Sequence, residues 1–180
     1  PVVGVIEPGA EAAVAASRTQ RHLVFATEST VKQHAYGLAI RALAPAAKVE
    51  EIPCSLFVAL AEEGWTEGAI ADAVAERYLK ATMSRSPDKL PDTIVLGCTH
   101  FPLLKRAIRS AVGYGPTIVD SATTTAEYVA SMLARGRLLR TSGTPTMKLL
   151  ATDGGRRFAD VGSRFLDQRV NATDVEIVDL

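Results

Sequence analysis

The chain has 180 residues, 47% of them hydrophobic and 22% charged, and its 20 Lys and Arg balance 20 Asp and Glu. That length allows a buried core in one domain or two small ones. The even charge balance supplies neither the basic footprint of a nucleic-acid binder nor a polyanionic tail. No run approaches the ~18 apolar residues of a membrane span, and no charged segment followed by an apolar one marks a secretion signal. Two cysteines without a framework spacing fit reduced thiols in a cytosol. The chain opens Pro1-Val-Val-Gly4, without methionine and inside what reads as a strand. A fragment, a processed product or a chain lacking its amino-terminal part is therefore expected.

Residues 2–6 read as a buried strand, and Pro8 and Gly9 open an Ala-rich helix that runs to Ser17. Residues 21–26 form a second strand. Thr27-Glu-Ser-Thr30 joins it to a helix with Val31, Ala35, Leu38, Ala39 and Ala42 on one face, ended by Pro45. Residues 48–52 are a third strand, stopped by Pro53. Residues 56–61 begin a helix that Gly64 closes, and Thr66 caps the next, whose face is Ile70, Ala73, Val74, Tyr78 and Ala81. A loop over 84–91 leads to a short buried strand at 93–96. Pro102 then suits the first turn of a helix, with Leu104, Ala107, Ile108, Ala111 and Val112 along one face. Residues 113–116 are a turn, 117–119 a strand, 122–133 a helix, 143–145 a loop and 147–151 a strand. The last helix presents Phe158, Val161 and Phe165, and 175–178 is a final strand. Strands alternating with helices predict an α/β fold with a mostly parallel sheet and helices on both faces.

Chemistry concentrates at Gly97-Cys-Thr-His100, between the carboxyl end of a strand and the amino end of a helix. Open α/β sheets bind ligands there. Unpaired N–H groups and the helix dipole favour an anion and are expected to lower the pKa of Cys98. The plain alternative is a buried, inert structural cysteine. Thr99 and His100 beside it favour a reactive thiol instead. Cys54, after Pro53 at another strand end, reads as a packed thiol. His22 and His34 have no partners in sequence and read as surface residues. Asp153-Gly-Gly155 lacks the Lys-Ser/Thr of a phosphate loop and reads as a turn and cap. No metal-ligand spacing is present, so no metal is expected.

Gly97-Cys-Thr-His-Phe-Pro-Leu-Leu104 resembles the second active-site motif of glutamate racemases, members of the cofactor-independent amino-acid racemase superfamily. Val3-Gly-Val-Ile-Glu-Pro-Gly-Ala10, Ala26-Thr-Glu-Ser-Thr-Val-Lys32, Cys54-Ser-Leu-Phe-Val-Ala-Leu-Ala-Glu62 and Val119-Asp-Ser121 resemble further family segments in the family's order. The resemblance implies two similar flavodoxin-like α/β lobes with the site between them. Residues 20–117 would form one complete lobe, and residues 1–19 and 118–180 parts of the other. The chain would lack the family's amino-terminal third, which holds the first catalytic cysteine.

The implied reaction is interconversion of L- and D-glutamate by two thiols, without a cofactor, to supply D-glutamate for peptidoglycan. Cys98 would be one thiol, His100 its proton partner and Glu62 the support of His100, with neighbouring Glu63 leaving the register open. Thr99, Thr27 and Thr30 would bind substrate. Ser29 stands where the family's Thr-x-Gly-Thr pattern has glycine, which bears on that loop's conformation. A cytoplasmic homodimer acting on a small molecule, with no nucleic acid or membrane partner, completes the expectation. The alternatives are an aspartate or hydantoin racemase, or a truncated ligand-binding domain without turnover.

Overall fold

The computed structural model describes residues 2–179. These form two compact units, 1–138 and 139–180 apart from the two terminal residues. The first unit runs α1 (Ile6–Ala16), β1 (Arg21–Ala26), α2 (Glu28–Lys32), α3 (Ala35–Leu43), β2 (Lys48–Pro53), α4 (Ser55–Glu63), α5 (Ala69–Met83), β3 (Thr93–Leu96), α6 (Lys105–Val112), β4 (Thr117–Asp120) and α7 (Ser121–Arg135). The second runs β5 (Leu149–Ala151), α8 (Gly155–Leu166) and β6 (Val175–Ile177). No described helix is long and apolar enough to cross a membrane.

The first sheet is wholly parallel in the order β2-β1-β3-β4. Alternation of side chains across the sheet divides its core into two layers. Leu23, Phe25, Ile94 and Leu96 face α4, α5 and α6, burying Phe57, Leu60, Ala71, Leu79, Leu104 and Ile108 with them. Phe57 meets Phe25, Tyr78 and Phe101 edge-on at 5.8, 5.0 and 5.4 Å between centroids. Val24, Ala26, Val95 and Val119 face the other way, against Ala10, Ala13, Tyr36 and Ile40. In the second unit β5 and β6 pair in parallel, and Ala159 of α8 packs with Val170 and Val175.

Several expectations are corrected. Residues 2–5 are irregular and α1 starts at Ile6, because a β-branched run becomes a strand only when paired, and no described strand borders it. Helix α1 packs against α3 and α7, through Ala10 and Ala13 on the first sheet, and β4 pairs with β3. The single helix expected after Thr30 is broken by His34, whose left-handed backbone (φ 51°) separates α2 from α3. Its Nδ1 lies 2.8 Å from Glu51 Oε2, so the exposed His34 has a partner after all. Gly68, not Thr66, precedes α5. That helix buries Ala71, Ala75, Leu79 and Thr82, a face rotated from the expected one, with Ile70 exposed. Small alanines allow close approach to α6, and Glu50 accepts the buried Thr82 hydroxyl at 3.2 Å. Phe158 and Phe165 stay exposed while Ala159 supplies the buried contact of α8. His22 is a core residue, 2% exposed.

Asp92 ties the end of α1 to the start of β3. Its carboxylate accepts from the Ser17 hydroxyl at 2.6 Å and from the Arg18 and Thr19 N–H groups at 2.7 and 2.8 Å. Burial alone would raise its pKa, but these donors outweigh burial and hold it below the usual carboxylate range. A carboxyl depressed in the folded state stabilises the fold above its ordinary pKa of about 4, and that contribution is lost as pH falls through the folded value. Urea midpoints measured from pH 6 down to pH 2 are expected to fall, and Asp92→Asn is expected to flatten the decline. An unchanged slope in Asp92→Asn would remove Asp92 from the acid transition.

Candidate active site

The sheet order places a topological switch between β1 and β3, because the chain leaves β1 toward β2 on one side and returns to β3 on the other. Ligands in open α/β sheets bind at the carboxyl ends of the strands at such a point. The two turns singled out in the sequence occupy it. Thr27–Thr30 follows β1, and Gly97–His100 follows β3.

The second turn is shaped by its glycine. The Gly97 N–H donates to Phe25 O at 2.8 Å. A Cβ there would lie 2.6 Å from Tyr36 Cε2 and 3.1 Å from Phe25 O, so only glycine lets the backbone pass. Cys98 follows, half-buried, and the chain then enters a short 3-10 turn, Phe101–Leu104, before α6. Phe101 and Leu104 are fully buried and anchor this segment in the core.

Glu62 comes from the last turn of α4, which Gly64 ends with a left-handed backbone (φ 75°). A carboxylate there faces the negative end of the helix dipole, an unfavourable position without a compensating partner. The partner is His100, whose Nε2 lies 2.8 Å from Glu62 Oε1, with both side chains about one-quarter exposed (23% and 26%). On the opposite side of the ring, Nδ1 lies 3.8 Å from Cys98 Sγ and 3.5 Å from Thr99 Oγ1. Glu62, Thr99, His100 and Cys98 thus form one connected group. The register question is answered by contact: Glu62 reaches His100, while Glu63 is exposed.

With a carboxylate at Nε2, the ring carries its proton there and donates it to Glu62. Nδ1 is then the acceptor, turned toward the Cys98 thiol and the Thr99 hydroxyl. The arrangement can take a proton from the thiol and return it.

The expected depression of the Cys98 pKa is not found. Burial raises it above the ordinary thiol value, against opposition from the His100 N–H, the Thr99 hydroxyl and the Thr99 N–H. The 3-10 geometry after Cys98 delays the α-helix start to Lys105, so no aligned helix dipole begins at the sulfur. The resting sulfur is a neutral thiol beside His100 Nδ1.

Thr27 and Thr30 bond one another, Oγ1 to Oγ1, at 2.9 Å, and Thr27 caps α2. Ser29 takes ordinary helical backbone, so its replacement of glycine introduces no strain. The threonine pair's placement at the end of the strand adjoining β3 brings it to the same edge. Cys54 lies at that edge too, after β2. Two strand spacings, roughly 10 Å, separate the ends of β2 and β3. Its thiol is fully buried, reaches Ile52 O at 3.4 Å, and is pushed far above the ordinary thiol range by burial.

Two features escape sequence reasoning. Tyr36 underlies the turn, and its packing against Gly9 and Gly97 leaves no sequence trace beyond the glycines themselves. Asp120, at the carboxyl end of β4, accepts from Lys105 Nζ at 2.9 Å and from the Thr123 N–H at 2.8 Å, and so clamps α6 to α7. The segment Val119-Asp-Ser121 carries no periodic signal for such a clamp.

Residues 1–129 match the Asp/Glu/hydantoin racemase family. A glutamate racemase of Geobacter metallireducens is 46% identical over 167 residues, covering 92% of this chain and 60% of that protein. One from Koribacter versatilis is 37% identical over 202 residues, covering 100% and 68%. Among solved structures, a Bacillus anthracis glutamate racemase isoform matches with TM-score 0.89 at 28% identity, covering 100% of this chain and 65% of that one. The Francisella tularensis glutamate racemase in complex with D-glutamate matches with TM-score 0.85 at 31% identity, covering 99% and 64%. The chain spans about 60 to 68% of the length of these curated relatives.

Three outcomes are expected. Alkylation of Cys98 by iodoacetamide should keep accelerating above pH 8.5, the ordinary thiol value, with Cys54 unmodified in the folded protein. Thr99→Val should slow it further at a given pH. A plateau below pH 8.5 would contradict the raised pKa. Gly97→Ala should cost about 1–3 kcal/mol by denaturant titration, the usual range for overpacking.

Proposed function

Because the chain belongs to the Asp/Glu/hydantoin racemase family, we propose that it serves as the Cys98-bearing part of a glutamate racemase, interconverting L- and D-glutamate without a cofactor. The observation that carries this reading is the connected group Glu62–His100–Cys98 at the switch point of the sheet. Its D-glutamate would enter peptidoglycan synthesis in the cytoplasm, and the working protein would be a homodimer.

Racemisation removes an α-proton from one face of the substrate and returns one to the other, so it needs two proton-transfer groups on opposite faces. Cys98 is the group for L-glutamate. His100 Nδ1 accepts the thiol proton as substrate enters, leaving a thiolate that takes the α-proton. The reverse direction starts from the state that this step leaves, the thiol beside a ring protonated at both nitrogens: Cys98 gives its proton to the substrate carbon and takes one from Nδ1, which is left bare again. A raised thiol pKa suits the donating direction, and the adjacent imidazole supplies the base for the other. Glu62 holds His100 in the tautomer that presents a bare Nδ1. Thr99, with Thr27 and Thr30 on the neighbouring strand end, binds the amino-acid head group, to which their hydroxyls and backbone N–H groups offer donors. The second proton-transfer group is a thiol beyond the Cys98 cluster. Cys54 does not fill that role, being buried behind the strand ends.

A second reading, a ligand-binding domain without turnover, has one observation behind it: only one of the two cysteines joins a titratable group at the site. The two readings separate by α-proton exchange in D₂O, followed by NMR, with L- and D-glutamate supplied separately. Exchange of L-glutamate is expected, and Cys98→Ser should lower it by on the order of 10²–10⁴, the usual contribution of a general base. Glu62→Ala should reduce it more than Glu62→Gln, since an amide oxygen still accepts the Nε2 proton. No exchange of either enantiomer in a folded sample would overturn the racemase reading in favour of the binding domain.

A further inference from the structure

At the amino-terminal edge of the sheet, opposite the strand ends that bear Cys98, lies a second concavity of about 330 Å³. Its walls come from several elements. Arg21 and Lys48 are the paired first residues of β1 and β2. Arg41 comes from the last turn of α3, and Arg85 and Lys89 from the segment after α5. Five cations therefore face a single carboxylate, Glu50. That carboxylate is already committed. Both Arg85 guanidinium nitrogens grip it, at 2.7 and 2.8 Å, and Thr82 donates to it at 3.2 Å. Among the described residues Arg21, Arg41, Lys48 and Lys89 form no ion pair. Two other acids are committed elsewhere: Glu51 holds His34 and the Gly37 N–H, and Asp92 holds Ser17, Arg18 and Thr19; Asp88, next to Lys89, does not line the cavity.

The same cavity is lined by His22, which is 2% exposed. Its Nδ1 lies 2.6 Å from the Thr93 hydroxyl, while Nε2 is buried without a hydrogen-bond partner. A buried ring nitrogen left unpaired is costly, and in native structures it points to a water or an ion. If the Thr93 hydroxyl donates to Nδ1, Nε2 carries the proton and requires an acceptor. Burial lowers the His22 pKa, with Asp92 opposing, so the ring there is neutral and its N–H is a donor rather than a fixed charge.

We propose that this cavity binds the phosphoryl group of a small anion. Four cations outside any ion pair, lining one concavity beside the His22 ring, suit a multiply charged, tetrahedral acceptor. Arginine forks pair with phosphate oxygens two at a time and lysines add point charges. A lone carboxylate has too few oxygens to engage them all. The volume lies at the small end of ligand sites, matching phosphate, diphosphate or the phosphorylated end of a larger molecule. The inference is independent of the racemase reading.

The test titrates the ¹⁵N-labelled chain with sodium pyrophosphate, inorganic phosphate, glutamate and chloride at matched ionic strength, following the His22 ring resonances. Pyrophosphate is expected to shift Nε2 saturably, and the double variant Arg21→Gln/Lys48→Gln to weaken it at least tenfold while the free-state His22 signal stays in place. Pyrophosphate binding at least tenfold tighter than phosphate would identify a diphosphate-bearing ligand. Equal binding would identify a single phosphoryl group. A response shared by chloride, one unchanged in the double variant, or one matched by glutamate would overturn the proposal. Should the double variant misfold, Lys89→Gln with Arg41→Gln provides the same comparison.

Discussion

The ring of Tyr36 lies so close to the chain at Gly97 that no side chain fits between them, and the Cys98 turn takes its position from that contact. Gly9 of α1 approaches the same ring, where a Cβ would stand 3.0 Å from Cε1. One aromatic side chain from α3 therefore fixes the distance of α1 from the sheet and the path of the backbone into Cys98. The Tyr36 hydroxyl is buried without a partner, and burial, with Cys98 and Glu7 adding to it, pushes its pKa up to about 12. It remains neutral beside the thiol. On the other face Phe57 stands edge-on between Phe25 and Phe101, so the segment after His100 is held through Phe101. The turn is fixed from both layers of the core.

The strand-turn-helix units were readable because their signals are local. Residues 21–26, 93–96 and 117–120 hold short apolar or β-branched runs bounded by Gly, Pro or capping residues, and such runs form buried parallel strands; residues 48–53, with Lys48, Glu50 and Glu51, form the half-buried edge strand. What failed depended on neighbours. Residues 2–6 have strand composition but no strand to pair with. The α5 face is not legible because alanine is neutral in a periodicity count, and the packing of α5 on α6 decides that Ala71 and Ala75 face inward. His22 looked like a surface residue because its partner, Thr93, is 71 positions away.

At the site the legible part was the identity of Cys98, Thr99 and His100, which adjoin in sequence. The choice between Glu62 and Glu63 was not legible, since it depends on the rotation of α4 about its axis. Nor was the direction of the Cys98 pKa. Sequence indicates a helix following the thiol, but the size of the dipole effect depends on where regular α-geometry starts, and it starts at Lys105. Burial then outweighs the few N–H groups that remain.

Helix α4 joins these observations. Its cap residue is Cys54 and its final turn carries Glu62, so one rigid element holds a buried thiol at one end and the partner of His100 at the other. Phe57, one turn in from Cys54, sits in the aromatic cluster and stops the helix from rotating. Rotation by a single residue, about 100°, would exchange Glu62 for an apolar or exposed neighbour and leave His100 without its carboxylate. The tautomer that gives His100 an acceptor nitrogen toward Cys98 therefore depends on apolar packing around Phe57. In this way the proton chemistry at the sheet edge is set by the core beneath it.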